Sequence, residues 1–313
     1  MANAIPLLEG TDAAGGFLVS EQYGQTLQNT INRRAAAWGL ARVERVVGRR
    51  QKYAIYAGRP TAAFVGEGAA KPVTGAEFNE LTVNVKKIAT NVIYTEELLE
   101  DAREDPSVFV SADVETAFTD LIDAHVLGMS GSTVIASNFD DSLAATTQKV
   151  ELGADGDAFA KAISEAIGII EGNGGVPSGI AAAYDVRAHL RDARSATETT
   201  EPIYTAGYQA NAPETLYGVP IRWTTNLDGF PAGLTGAAGS PSKVAAIVGD
   251  FSHAVGVVRR DIGVRFSDQA TLNVGGTDQN MWQENKLAAQ WEMRVGFAIH
   301  DRNRMFVAIT NGS

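Results

Sequence analysis

The sequence contains no cysteine in its 313 residues, so neither disulfides nor thiolate metal centres are available to it. That absence agrees with a reducing interior. Histidine is scarce as well. The four, at positions 125, 189, 253 and 300, show no metal-ligand spacing, and no metal or cofactor site is expected from sequence. No apolar run approaches the roughly 18 residues of a membrane span. The opening Met-Ala-Asn-Ala-Ile-Pro lacks the charged-then-apolar order of a signal peptide. Neither a Gly-x-Ser-x-Gly elbow nor a P-loop is present. Gly66-Glu-Gly-Ala-Ala-Lys71 superficially resembles a phosphate loop, but it lacks the third glycine and does not precede a helix. Asn311-Gly-Ser has the form of a glycosylation acceptor, which carries no meaning without secretion. Positive charge is also in deficit: 26 Lys and Arg against 37 Asp and Glu give a net charge of −11. A protein that grips nucleic acid over its whole surface is thereby excluded.

What is present suits a folded protein with ample core: 45% hydrophobic and 20% charged residues over a length sufficient for one large or two ordinary domains. The chain is organised around the stretch from Arg49 to Asp101. Tyr53, Ile55 and Ala57 alternate on an incoming strand. Leu81, Val83 and Val85 alternate on a returning one, with Thr82, Asn84 and Lys86 between them. Period two marks both as strands with one covered face. Between them Gly66, Gly68, Pro72 and Gly75 form a tip unsuited to a core. An isolated two-stranded ribbon is marginal in water, so this arm is expected to lie on something else, a neighbouring subunit above all. Eight basic residues fall between Arg33 and Arg59, against the single acid Glu44. A basic arm on an acidic body favours self-association over a merely solvated strand face.

Residues 1–20 read as an extended arm, and Glu21–Arg34 as a short amphipathic helix with Tyr23, Leu27 and Ile31 on one side. Asp105-Pro106 caps the start of a long helix that ends at Leu127, with Gly128 at the C-terminal cap position. Val110, Val114, Ala117, Phe118, Leu121, Ile122 and His125 form its apolar stripe. Asp113, Glu115, Asp120 and Asp123 form a solvated or partner-facing one. His125 reads as a structural histidine. Residues 128–153 are a polar connection and a domain boundary. Beyond it, a helix carrying Phe159, Ile163, Ile167 and Ile170 stops at Gly172, and Gly179–Ala183 is a buried strand. Tyr184–Arg194 is a further helix. Asn211–Asn226, Lys243–Gly249 and His253–Arg259 supply strands of a compact α+β module. In the tail, Gly263–Phe266, Leu287–Ala298 and Met305–Ile309 are strands expected to complete the first domain, making the module an insertion.

Several motifs then carry a resemblance. Gly15-Gly-Phe-Leu-Val19, Phe64-Val-Gly-Glu-Gly-Ala-Ala-Lys-Pro72, Lys86-Lys87, Thr95-Glu-Glu-Leu-Leu-Glu-Asp101 and Leu216-Tyr-Gly-Val-Pro-Ile221 stand in the order found in tailed-bacteriophage major capsid proteins. In these residues the chain resembles that family, which has the Hong Kong 97 fold. The resemblance implies an α+β capsid fold divided as N-terminal arm (1–42), E-loop and its strands (43–90), P-domain with a spine helix (91–130), A-domain (131–255) and P-domain return strands (256–313). It implies a structural subunit, not an enzyme, that assembles through hexamers and pentamers into an icosahedral head enclosing double-stranded DNA. Assembly would occur in the host cytoplasm, with the portal and a separate scaffolding protein as partners. Some relatives carry a helical scaffolding segment ahead of the arm; the expectation here is a separate scaffolding protein, with a mature, already processed form as the alternative. Arg49, Arg50, Lys52, Glu67 and Lys71 are the expected inter-subunit contacts.

A covalent option also follows from the resemblance. In the type member an E-loop lysine joins a neighbour's asparagine with help from a glutamate, and the matching positions here are Lys71, Asn285 and Glu292, with Asn280 a rival acceptor. A neutral amine would attack the carboxamide carbon and ammonia would leave, while a buried carboxylate of raised pKa took the proton. An ordinary ion pair made by Lys71 is the favoured alternative. Two other uses of the chain stand beside the phage head: an encapsulin-like shell around a cargo enzyme, and, more remotely, an α+β enzyme with a hairpin lid.

Overall fold

The computed structural model describes residues 35–58, 62–68, 70–73, 75, 77–97, 106–131, 133–152, 158–187, 215–227 and 244–311. Residues 1–34 of the expected N-terminal arm, with the helix at 21–34, the Asp105 cap and most of the helix at 184–194, lie outside these residues; the arm's last part, 35–42, is described and buries Ala35, Ala36, Ala37 and Trp38. In chain order the strands and helices are β1 (Arg42–Arg45), β2 (Arg50–Gly58), β3 (Glu77–Asn84), β4 (Lys86–Thr95), α1 (Pro106–Leu127), β5 (Met129–Ser130) and β6 (Thr133–Val134). There follow β7 (Lys149–Leu152), α2 (Ala158–Gly172), β8 (Gly179–Ala183), β9 (Thr215–Leu216), β10 (Val219–Thr224) and β11 (Val244–Gly249). The tail holds β12 (Ala254–Ser267), β13 (Thr271–Val274), β14 (Thr277–Asn280), β15 (Lys286–Ile299), α3 (Arg302–Met305) and β16 (Phe306–Asn311). No helix among the described residues is long and apolar enough to cross a membrane.

Two sheets carry the architecture. One has four strands in the order β1-β12-β15-β4, and the other six, in the order β7-β16-β11-β8-β10-β9. Strand β8, Gly-Ile-Ala-Ala-Ala, is buried throughout, as a continuous apolar run between covered faces requires. Helix α2 lies on the six-stranded sheet and buries Phe159, Ile163 and Ile170. The 22 residues of α1 make a rod of roughly 33 Å. It ends where Gly128 takes a left-handed φ of 77° and donates its N–H to the Ala124 carbonyl at 2.8 Å. A Cβ there would stand 2.7 Å from Ser142 Oγ, so both conformation and space demand glycine.

Three expectations are corrected. The stretches expected as separate strands at His253–Arg259 and Gly263–Phe266 are one strand, β12, whose register slips at Val258/Arg260 and Arg260/Gly263. Bulges of this kind break the alternation on which a sequence reading depends. The tail strands also part company: β15 joins the four-stranded sheet, whereas β16 runs between β7 and β11 in the other. Finally, Asp123 is only 3% exposed and Leu121 is 41% exposed, so the buried face of α1 is rotated from the expected stripe. The Asp123 carboxylate accepts the Ala37 N–H at 2.9 Å and the Thr224 hydroxyl at 2.7 Å, tying the segment before β1 and strand β10 to the helix. Burial pushes its pKa up despite those donors.

A single hydrophobic cluster joins the two sheets and α1, running from Val114, Phe118 and Ile122 to Met293, Val295 and Phe297, and on to Ile180 and Val248. Trp38 is fully buried within it, against Phe297 and over Gly256, where a Cβ would meet the indole at 3.0 Å. His125 has a structural role, as expected. Its Nδ1 accepts the Asn138 N–H at 3.1 Å, and partial burial lowers its pKa, which agrees with a neutral ring.

Candidate assembly interface

The ribbon expected from the alternating residues is formed by β2 and β3, paired antiparallel with Tyr53 opposite Leu81 and Tyr56 opposite Phe78. Its base rests on this chain's own four-stranded sheet. Val83, Val255, Val257 and Ala298 form a second buried cluster on the face away from the main core, with Val46, Tyr53, Leu81 and Val85 packed around it. The Tyr53 hydroxyl donates to Glu44 Oε2 at 2.9 Å, and burial together with that carboxylate pushes its pKa up to about 12. Asn84 locks the junction of β3 and β4. Its amide N–H and Nδ2 both donate to Asp140, and its Oδ1 accepts from Arg50 Nε at 3.0 Å. Gly296 permits this approach, because a Cβ there would lie 2.6 Å from the Asn84 carbonyl oxygen.

The distal half differs. Residues 77–80 are exposed on both faces of the ribbon, which loses its alternation beyond the base. Tyr56 and Phe78 face each other across the strands with ring centroids 4.6 Å apart, yet about 60% of each is exposed. Phe64 and Val73, at the tip, are wholly exposed. Large apolar side chains concentrated on a projecting element mark a docking surface. None of these four belongs to the basic residues expected as contacts. Their signal was apolar residues set among glycine and proline, where no core can claim them.

The expected contact residues divide. Glu67 and Lys71 are exposed at the tip and form no ion pair with any described residue. Lys52 is held within the ribbon by Glu80 at 2.9 Å; its hydrogen bond, with that of Thr82, lowers the Glu80 pKa. Arg49 and Arg50 line a basic groove with Asn84, Val85 and Lys86 at the foot of the arm.

Asn285 and Glu292 are not brought together within the chain. Asn285 takes a left-handed φ of 49° just before β15, and its carbonyl accepts the Glu96 N–H at 2.9 Å. Glu292 lies seven residues further along an extended strand, roughly 23 Å away. Its side chain is 12% exposed and sits among Arg294 at 2.9 Å, Lys87 at 3.3 Å and Arg260 at 3.9 Å. The Arg294 hydrogen bond, followed by Lys87, holds its pKa below the ordinary carboxylate range. The expectation of a raised pKa is therefore reversed, because the cations around Glu292 outweigh its burial. Asn280, the rival acceptor, already uses its Oδ1 to accept the Gln283 N–H at 3.3 Å.

Residues 15–309 match the model of the phage capsid family. The probable major capsid protein of Mycobacterium phage L5 is 25% identical over 280 residues, covering 83% of this chain and 79% of the relative. Among solved structures, a chain from Microbacterium phage Oxtober96 superposes with a TM-score of 0.70 at 21% identity, over 89% of this chain and 91% of that one. A chain from Mycobacterium phage Bobi gives 0.71 at 19% identity, over 99% and 100%. The protein therefore belongs to the phage capsid family: it is a structural, non-enzymatic subunit of a phage head with the Hong Kong 97-like α+β fold, and it self-assembles into a shell.

Proposed function

We propose that this chain is the major capsid protein of a tailed phage, building hexamers and pentamers that close into an icosahedral head around double-stranded DNA. One observation carries the reading: a ribbon anchored on its own sheet at the base and bare, aromatic and charged at its distal end. Such an arm is stable only when its outer half lies on another surface, and in a shell of identical subunits that surface is a second copy. Each contact is small, but a closed shell repeats it many times. Phe64, Val73, Tyr56 and Phe78 supply the apolar part of the contact. Glu67 and Lys71 supply charge at the tip, and Arg49, Arg50 and Lys52 supply it nearer the base. The five-part division at residues 42, 90, 130 and 255 belongs to this proposal, with β16 as a strand returned to the A-domain sheet. Assembly in the host cytoplasm with a separate scaffolding protein and a portal completes it.

Lys71 fits this reading best as an inter-subunit ion-pair partner. The ion-paired, pKa-lowered Glu292 is a poor acceptor for the proton that isopeptide formation releases. The test is negative-stain electron microscopy of the purified protein beside a denaturing gel. Closed shells, or rings of five and six, with a single monomer band are expected. A covalent ladder abolished by Lys71→Ala would establish the cross-link instead. A uniformly small particle, even with scaffold added, would overturn the capsid assignment. Empty shells that capture a cargo peptide would move the protein to the encapsulin-like use.

A further inference from the structure

The junction between the two sheets holds a side-chain cluster that the assembly contacts do not use. Ala254 and Ile299 are the last paired residues of β12 and β15 at this end of the four-stranded sheet. One step further out, the His300 N–H donates to the His253 carbonyl at 2.8 Å. Directly opposed residues hold their Cβ atoms roughly 4.5–5.5 Å apart, so the backbone itself makes the two imidazoles neighbours. Their ring centroids are 5.4 Å apart and their planes 17° from parallel. Asp301 follows in a left-handed conformation with φ 51°, which places its Oδ2 3.0 Å from His300 Nε2. Although Asp301 stands at the cap position of α3, its side chain makes no capping hydrogen bond. Asp250, on the other side, is already committed. Its Oδ1 accepts from the Ser252 N–H and hydroxyl, and its Oδ2 accepts the Val176 N–H.

One ligand atom from each of His253, His300 and Asp301 lies within 4.8 Å of the other two. We propose that these three side chains form a binding site for a divalent transition-metal ion of the zinc class, with solvent completing the coordination. Two imidazoles and one carboxylate suit zinc, cobalt or nickel, whereas magnesium and calcium prefer all-oxygen shells. Ligand distances of about 2.0–2.2 Å require the cluster to contract slightly around the ion. The imidazoles are 26% and 23% exposed and the carboxylate 42%, so their side chains have room to turn and water can enter. His125 is no competitor: Asn138 engages both of its ring nitrogens. Sequence spacing concealed this site because strand pairing, not proximity along the chain, brings His253 to His300.

The position gives the ion a structural role. His253 and His300 end the four-stranded sheet, and Asp301 begins the segment that enters the six-stranded one through β16. Metal bound here ties the two sheets at the point where the chain crosses, and ligand bound only to the folded state stabilises it.

The test uses the purified full chain, stripped with chelator and then equilibrated with zinc, cobalt or magnesium chloride. One zinc or cobalt per chain is expected after dialysis, with visible cobalt absorption and no retained magnesium. Zinc should raise the melting temperature of the wild-type chain. His253→Ala and His300→Ala should each weaken zinc binding by about tenfold or more and abolish that rise. His253→Gln and Asp301→Asn, checked by far-ultraviolet circular dichroism, repeat the measurement should the alanine variants misfold. Unchanged zinc uptake in a folded His253→Ala/His300→Ala double variant would overturn the site. So would failure of the wild-type chain to retain zinc or cobalt.

Discussion

Single residues decide how the arm and helix are seated, and each seat can be tested alone. A Cβ at Gly296 would press on the carbonyl of Asn84, the last residue of the arm's strand β3, at 2.6 Å and on Val257 Cγ2, in the sheet beneath the arm, at 3.0 Å. Gly296→Ala should therefore cost about 1–3 kcal/mol in chemical denaturation of the unassembled subunit. Gly66→Ala, with no atom within 4 Å of the added carbon, should stay within roughly 0.5 kcal/mol of the wild type. Asp123→Ala leaves the buried Ala37 N–H and Thr224 hydroxyl without their acceptor, a loss of about 2–4 kcal/mol by the same measurement. Glu292 sets a pH dependence. Its pKa is lowered from the ordinary 4.5 in the folded chain, so its contribution is present above that value and is lost as pH falls through the folded pKa. Glu292→Gln should flatten the acid limb of melting temperature against pH, while the Lys52–Glu80 pair, which shifts in the same direction, keeps its own share.

At the scale of the element, the ribbon divides into a base packed on its own sheet and an exposed distal half, which the proposed function assigns to the contact between subunits. Phe64 and Val73 touch nothing in the described chain. Phe64→Asp and Val73→Asp should accordingly leave subunit stability within roughly 0.5 kcal/mol. They should nevertheless shift sedimentation velocity from large particles to small oligomers. Assembly of the double variant at wild-type efficiency would remove the tip from the interface. Much of this element was legible in advance. The alternation of Tyr53 and Ile55 against Leu81 and Val83 placed both strands, and the observed register sets Tyr53 opposite Leu81. The surface on which the base lies was not legible, because Val255, Val257 and Ala298 come from the far end of the chain.

Across the whole molecule, a net charge of −11 would repel the negative phosphates of the DNA that the proposed function encloses. Binding of linear duplex DNA by recombinant shells should be no tighter than about 10⁻⁴–10⁻⁶ M at physiological salt, and it should weaken further as salt rises. Nanomolar, salt-resistant binding in a filter assay would contradict a shell that contains DNA without gripping it. The two tail strands, alike in sequence, also part at this scale. Leu287–Ala298 and Met305–Ile309 are both apolar strands in sequence, but α3 and the left-handed Asp301 lie between them. The chain turns there, and β16 pairs with β7 and β11 instead of the four-stranded sheet.

The amino-acid sequence sufficed to exclude thiolate chemistry, to locate the two-stranded arm and the long helix ending at Leu127 and, through five short motifs in order, to carry the capsid resemblance. These are local properties: periodicity, caps and turn residues act within a few positions of one another. Only the packed fold shows that Asp123 is a buried tether and not part of a solvated stripe. It also shows that Glu292 is neutralised by Arg294 and Lys87, that β16 changes sheets, and that His253 meets His300. Each of these depends on which distant strand lies alongside, and that is settled by the register and burial of the whole core rather than by any stretch of the chain.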